Sequence, residues 1–199
     1  MALPLKAAPG QTLVGRFHLL EEIGRGGMST VFKANDLEHE GKLVAVKVPL
    51  PQYSSGMGSW SMFQREMEIG VALHHPRLVR FVLLTPNKQN LVVTELVAGV
   101  PLSARIGKGR FLREDEALSI ASQVSDAVDY LHGRDIVHYD LKPANVMLCE
   151  DGTVRLIDFG LAHAVVRGRF TLAGPAPAVA TAAYVAPEQI GRRRGQPSV

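Results

Sequence analysis

The chain has one cysteine, Cys149, in 199 residues. It forms no internal disulfide, and no Cys/His set has zinc-ligand spacing, so a reducing compartment without a structural metal is expected and the cytoplasm fits best. An excess of either charge is also missing. Twenty-two basic against 19 acidic residues leave +3, and only Arg192, Arg193 and Arg194 cluster, as a solvated tail. That balance implies no nucleic-acid partner. Long apolar helical runs are lacking too. Residues 170–187 carry no charge, but Gly174, Pro175 and Pro177 break the helix a bilayer demands, and Pro4, Lys6 and Pro9 interrupt any leader. No membrane segment is expected in this chain. What is present is a hydrophobic fraction of 46% with 21% charge, enough to bury a core. At roughly 150 residues per domain, the length allows one domain or two small lobes, and no internal repeat divides it further.

Residues 17–23, 30–35 and 43–48 are apolar and β-branched runs around glycine-rich and polar turns, which predicts three antiparallel strands. Residues 61–74 place Met62, Phe63, Ile69, Gly70 and Leu73 on one face at helical spacing, with Ser59 or Ser61 as the cap and Pro76 as the stop. Residues 78–84 and 91–95 read as two further strands, so the first lobe is a five-stranded sheet with one helix. Beyond the Gly99 turn, residues 113–132 carry a stripe of Ala117, Ile120, Ala121, Val124, Val128 and Leu131, ended by Gly133. A helical second lobe begins there. The expected organisation is an extension over 1–15, a β-rich lobe over 16–97 and a helical lobe over 98–199.

Three signals carry chemistry. In Ile23-Gly24-Arg25-Gly26-Gly27-Met28-Ser29-Thr30-Val31 the glycines let backbone amides approach phosphate oxygens without a Cβ in the way. A flexible hairpin is the bland alternative, and a dinucleotide fold is disfavoured because a strand follows the glycines. In Val44-Ala45-Val46-Lys47 the two-residue period puts Ala45 and Lys47 on one face, so the ammonium follows a side chain small enough to admit a flat adenine ring. Glu66, on the apolar helix face, needs a partner, and Lys47 is the candidate. Glu68 lies about 200° around the helix and points to water. The densest signal is His138-Tyr139-Asp140-Leu141-Lys142-Pro143-Ala144-Asn145, followed by Asp158-Phe159-Gly160. Two carboxylates and an amide held beside apolar strands suit phosphoryl transfer. Asp158 and Asn145 would be oxygen ligands for Mg²⁺, Asp140 the acceptor of a hydroxyl proton, and Lys142 a partner for the γ-phosphate. His138 reads as a structural hydrogen-bonding residue, and His74 and His75 as helix-end residues rather than metal ligands.

With Ala186-Pro187-Glu188 added, five motifs in order make the chain, over about residues 16–189, resemble eukaryotic-type protein kinases, most of all the bacterial Ser/Thr kinases. The resemblance implies an α+β, bilobal fold with a five-stranded antiparallel N-lobe plus one helix and a helical C-lobe. It implies ATP and Mg²⁺ as cofactors and a protein substrate with a Ser/Thr acceptor. By carry-over, Lys47 holds the α- and β-phosphates and pairs with Glu66, Asp140 is the base, and Asn145 and Asp158 hold magnesium. Thr94 is the gatekeeper, and the backbone of Glu95 and Val97 hydrogen-bonds adenine. Ile23, Val31, Ala45 and Met147 sandwich the ring, and Thr181 bridges Lys142 to Asp140.

Several departures stand out. Tyr139 occupies the place where regulated members carry the arginine that receives an activation-loop phosphate, so activity without phosphorylation of Thr171 is expected. Ser29 replaces the third glycine of the loop, and Ala180 replaces the glycine that usually precedes Thr181. The family continues through several more C-lobe helices, whereas this chain stops at Val199, so it reads as a truncated kinase with a partial C-lobe. The helix stripe over 113–132 would then lose cover at roughly 1.5–3 kcal/mol per exposed side chain. The alternative is a nucleotide-binding pseudokinase or scaffold without turnover. A metabolite or antibiotic phosphotransferase is disfavoured by Ala186-Pro187-Glu188 and the glycine loop.

Overall fold

Alternating β-branched and polar residues build a curled sheet first. The computed structural model describes residues 7–53, 57–82, 84, 91–158, 163–164 and 182–184. Its chain divides into two compact units, Met1–Ala72 with Arg80–Leu96, and Leu73–Val79 with Val97–Val199.

In the first unit, strands β1 (Thr12–Leu13), β2 (Phe17–Arg25), β3 (Ser29–Asp36), β4 (Lys42–Pro49) and β5 (Val92–Glu95) form one antiparallel sheet in sequence order. On β4, Val44, Val46 and Val48 are buried with Phe17, Leu19 and Phe32 in a core on one side of the sheet. Each such side chain contributes roughly 1.5–3 kcal/mol. Ala45 and Lys47 take the opposite face and are half-buried. Helix α1 (Met57–Ala72) packs on that face through Phe63 and Met67, which cluster with Val92. At the start of β2, Arg16 closes the turn after β3. It donates Nε and Nη2 to Asp36, at 2.7 and 2.6 Å, and its Nη1 lies 3.0 Å from Glu38.

The sheet has the expected five strands with different membership. Among the described residues, 78–84 make only single bridges, Leu78 to Leu156 and Phe81 to Thr94, and β1 takes the fifth place. The backbone groups of residues 77–79 are divided between neighbours, Arg77 O and Val79 N pairing with Leu156, so no continuous ladder forms. Helix α1 starts at Met57, ahead of Ser59 and Ser61, which therefore lie inside it rather than capping it.

In the second unit, helix α3 (Glu114–His132) buries Ile120, Ala127 and Leu131, and Gly133 is its C-cap. Ala121, expected on the same stripe, is exposed because it lies about 100° around the helix from Ile120. Strands β6 (Gly99–Pro101), β8 (Val146–Cys149) and β9 (Val154–Leu156) form a small antiparallel sheet, while β7 (Ile136–Val137) pairs with β10 (His163–Ala164). Only glycine fits at position 99, where a side chain would overlap the Leu148 carbonyl. Helix α2 (Leu102–Arg105) follows β6. His74 and His75 pack on α3 rather than ending a helix: His74 N donates to Tyr130 Oη at 3.0 Å, and the His75 ring lies 4.6 Å from the Tyr130 ring.

Candidate active site

Each unit carries its own set of functional side chains. In the first, β4 pairs with β3 so that Val31 lies opposite Lys47, and with β5 so that Thr94 lies opposite Ala45. Cross-strand partners share a face, so Val31, Ala45, Lys47 and Thr94 stand on one side of the sheet. Lys47 Nζ donates to both carboxylate oxygens of Glu66, each at 2.9 Å. The Glu66 side chain is 4% exposed and that of Lys47 17%. A carboxylate buried that far holds its charge only against a partner, and the two residues are 19 positions apart in sequence, one on β4 and one on α1. Glu68, one turn-edge away, is exposed as expected.

The glycine-rich turn joins β2 to β3, with Gly26 N donating to Ser29 O at 2.8 Å. A Cβ on Gly24 or Gly26 would meet only ordinary contact, and neither has left-handed backbone. The hairpin itself therefore does not require these glycines. Arg25 is held outward by a bidentate pair with Glu22, at 2.8 and 2.6 Å. Met28 O accepts from Leu50 N, Ser29 is buried, and Ile23 is 47% exposed. Glu95 pairs with Arg80 twice: its N donates to Arg80 O at 2.9 Å, and its Oε1 accepts from Arg80 N at 3.1 Å.

In the second unit a short loop does all the positioning. Lys142 Nζ donates to Asp140 Oδ2 at 2.7 Å, and the Asn145 amide donates to Asp140 Oδ2 at 3.0 Å and to Asp140 O at 2.8 Å. Both side-chain bonds fall on one oxygen, so among the described residues Oδ1 is left to accept a further donor. With its amide nitrogen committed to Asp140, Asn145 keeps its carbonyl oxygen for another ligand. Ile157 N donates to Asn145 O at 3.0 Å, which ties the residue before Asp158 to the loop. Tyr139 and Asp158 both have left-handed backbone, with φ of 61° and 67°. Such residues persist where the surroundings over-determine them, a feature concentrated at functional sites.

His138 is 4% exposed, and its Nδ1 accepts from Asp140 N at 3.3 Å. Burial pushes its imidazole below the ordinary histidine range, against the opposing pull of the Asp158 and Asp140 carboxylates. A neutral ring with Nδ1 as acceptor fits that donor, so His138 fixes the backbone of Asp140. This agrees with its reading as a structural hydrogen-bonding residue.

The family profile described as protein kinase domain matches residues 17–199. The chain belongs to the protein kinase family. It is 33% identical over 181 residues to "Probable serine/threonine-protein kinase PknB" of Lactococcus lactis, covering 90% of this chain and 28% of that protein. Over 186 residues it is 34% identical to serine/threonine-protein kinase PknA of Mycobacterium tuberculosis, covering 90% and 42%. A rice CBL-interacting protein kinase 12 is 36% identical over 188 residues, covering 94% and 34%. The chain thus spans 28–42% of the length of these curated relatives. The bilobal α+β kinase fold and its five-stranded N-lobe sheet agree with the expectation from the motifs. No helix among the described residues is long and apolar enough to cross a membrane.

Of the expected kinase residues, Ile23, Gly24, Val31, Ala45, Lys47, Glu66, Thr94 and Glu95 fall in the first unit. Val97, Asp140, Lys142, Asn145, Met147 and Asp158 fall in the second. Phe159, Gly160, Thr171, Thr181 and residues 186–188 lie outside the described residues. Two features escaped the sequence reading, the left-handed Tyr139 and the pairing of Gly70 with Phe81. For Gly70 a signal existed, a glycine on the apolar face in the last turn of α1.

Proposed function

We propose that the chain is the catalytic part of an ATP- and Mg²⁺-dependent protein serine/threonine kinase, acting on Ser/Thr hydroxyls of protein substrates in the cytoplasm. The observation that carries this reading is the Asp140 carboxylate, pinned through Oδ2 by Lys142 and Asn145 and, among the described residues, open to accept at Oδ1. A fixed carboxylate with one open oxygen suits a group that takes a proton from an attacking hydroxyl.

Phosphotransfer sites hold Mg²⁺ by one or two protein oxygens plus the substrate's phosphates. Among the described residues no three His, Cys, Asp or Glu gather into an all-protein cage. The Asp158 carboxylate and the Asn145 amide oxygen are hard oxygen donors of the required kind, so the residues fit the cation. When bound, Mg²⁺ would neutralise charge on the phosphates. Lys47, oriented by Glu66, binds the α- and β-phosphates, and the turn from Gly24 to Ser29 supplies backbone amides. Ile23, Val31, Ala45 and Met147 enclose the adenine, with Thr94 as gatekeeper and Glu95 and Val97 as its backbone partners. Asp140 accepts the hydroxyl proton and Lys142 steadies the transferred group.

Asp140→Asn in the full-length protein tests the assignment. It is expected to lower turnover by about 10²–10⁴-fold while ATP affinity stays within a few-fold, because the base acts on the acceptor and not on the nucleotide. Equal loss of affinity and turnover would make Asp140 a structural residue and remove the main support for the reading.

A further inference from the structure

Between helices α2 and α3 the chain turns on three consecutive left-handed residues, Gly107, Lys108 and Gly109, with φ of 92°, 51° and 79°. Gly107 and Arg110 exchange both backbone hydrogen bonds, Gly107 N to Arg110 O at 3.1 Å and Arg110 N to Gly107 O at 3.0 Å, which closes a two-residue hairpin. Tight hairpins with both central residues at positive φ favour Gly, Asn or Asp there, so Lys108 departs from the preference. Crowding does not select the glycines, since among the described residues a Cβ on either would meet nothing within 4 Å. The tip stands in open space. Lys108 and Arg110 are exposed, and Phe111, at 89%, is the most exposed large apolar side chain among the described residues.

Charge around the tip is one-sided. Arg105, Lys108, Arg110 and Arg113 fall within residues 102–113, which contain no acid. Arg105 is held by Glu116 and Arg113 by Asp115, each at 2.9 Å, and Glu114 stands in the first turn of α3, where the helix end favours an acid. Lys108 and Arg110 have no ion pair among the described residues. The tip is also close to Asp140. Helix α2 packs against the turn Pro143–Asn145, and Asn145 is the hydrogen-bond partner of Asp140. Lys108 follows the last residue of α2 by three positions, at most about 11 Å of chain. Residues 141–149 contain no acid, and the exposed residue of the turn is Ala144. Glu150 and Asp151 lie on the β8–β9 turn, which is bonded to Gln123, about 14 Å along α3 from its start. Among the described residues, Asp140 is therefore the one acid that α2, the hairpin and the Asp140 loop present to a chain lying along them.

We propose that residues 108–111 form a docking tip for the protein acceptor, and that it takes an acidic segment bearing an apolar residue: carboxylates meet Lys108 and Arg110, and the apolar side chain covers Phe111. The inference rests on the kinase reading for what is done to the docked protein, and not for the docking itself. A turn already fixed in shape loses little freedom on binding. A segment held there presents a hydroxyl elsewhere on its own chain to Asp140 at raised effective concentration.

The test uses one serine acceptor peptide in three forms, joined by a flexible linker to an acidic segment with a central leucine, to the same segment with glycine for leucine, or to a neutral segment. With the full-length protein the acidic leucine form should have a kcat/KM at least tenfold above the neutral form, and several-fold above the glycine form. Lys108→Glu/Arg110→Glu should bring the acidic-to-neutral ratio to within twofold of one, and Phe111→Ser should remove the difference between leucine and glycine. Fluorescence anisotropy of the labelled acidic leucine segment alone gives a readout without turnover. Its binding should weaken at least tenfold in the charge-reversed protein, and weaken as salt rises from about 50 to about 300 mM. Should thermal melts show the reversed protein unfolded, Lys108→Gln/Arg110→Gln makes the same comparison. Equal action of the wild type on acidic and neutral forms, or a preference that survives the charge change, overturns the proposal and leaves the kinase reading in place. Displacement of the labelled segment by a DNA oligonucleotide as readily as by the unlabelled leucine segment, with Phe111→Ser without effect, shows general attraction of anions and overturns it too. Binding that depends on Lys108, Arg110 and Phe111 without transfer to any acceptor supports the docking tip and refutes the kinase reading instead.

Discussion

Two lysine–carboxylate pairs stand among the candidate residues, one in each unit, and they are built in opposite ways. Lys142 and Asp140 are two residues apart in one loop, at 2.7 Å, and the loop backbone places both. Lys47 and Glu66 are 19 residues apart on a strand and a helix, and only the packing of α1 on the sheet brings them together. The first pair is a property of local chain geometry; the second reports on tertiary structure. It follows that substitutions remote from Lys47 and Glu66 can break their pair, whereas Asp140 and Lys142 respond only to changes within their loop or its immediate supports.

The largest expected effect on this comparison comes from the long-range pair itself. Lys47→Met should lower turnover on the order of a hundredfold, about 2.7 kcal/mol of transition-state stabilisation, with Glu66→Gln no worse. Because the two act as one unit, the Lys47→Met/Glu66→Gln double variant should be no worse than Lys47→Met alone. Steady-state kinetics on the four proteins check this, and additive losses would dissolve the pair.

A second buried pair in the same unit sharpens the contrast. Asp36 is 2% exposed and takes two hydrogen bonds from Arg16. Asp36→Ala should cost about 3 kcal/mol of stability, the low end for a broken buried pair, because Glu38 still faces Arg16. Turnover per folded molecule should not change. Denaturant melts beside active-site-normalised kinetics separate the two quantities.

Acidification should act on the two units over different ranges. His138 has its pKa depressed by burial, so below roughly pH 6.5 the unfolded chain takes up a proton that the folded one refuses, and stability falls with pH. Asp36 is held below the ordinary carboxylate range by its hydrogen bonds from Arg16, so its contribution is present above roughly pH 4 and is lost on further acidification. Melting curves between pH 7.5 and 3.5 are expected to show the first decline removed by His138→Gln and the second by Asp36→Asn.

The smallest effect is expected at Thr171. Tyr139 brings no positive charge to the position where regulated kinases keep an arginine, so a phosphate on the activation loop lacks its usual receiver. Thr171→Ala should retain turnover within a few-fold, and a loss of a hundredfold would transfer the receiving role to Arg167 or Arg169.

Much of this was legible in the sequence because the relevant periods are short. The two-residue alternation of Val44 to Val48 put Ala45 and Lys47 on one face, and the helical period put Glu66 on the buried side of α1 and Glu68 in water. The Asp140 loop was legible as a string of residues, since neighbours in sequence are neighbours in space there. What could not be read was the division of backbone hydrogen bonds at residues 77–81, where Arg77 and Val79 pair with β9 while Phe81 pairs with β5. No local pattern encodes which distant strand a short apolar run will choose. The glycine at position 70 was visible in the sequence, but its neighbour Phe81 was not, since it lies 11 residues on in a segment whose path depended on that choice.

The most direct test of the whole account is phosphotransfer by the full-length protein in Mg²⁺ and ATP labelled at the γ-phosphate, with protein acceptors, small-molecule acceptors and the Asp140→Asn variant run together. The account predicts label on serine and threonine of the protein acceptors, none on the small molecules, and a blank with Asp140→Asn. ATP binding of ordinary affinity with no transfer to any acceptor would contradict it, and would make the Lys47 and Asp140 pairs a nucleotide-binding scaffold.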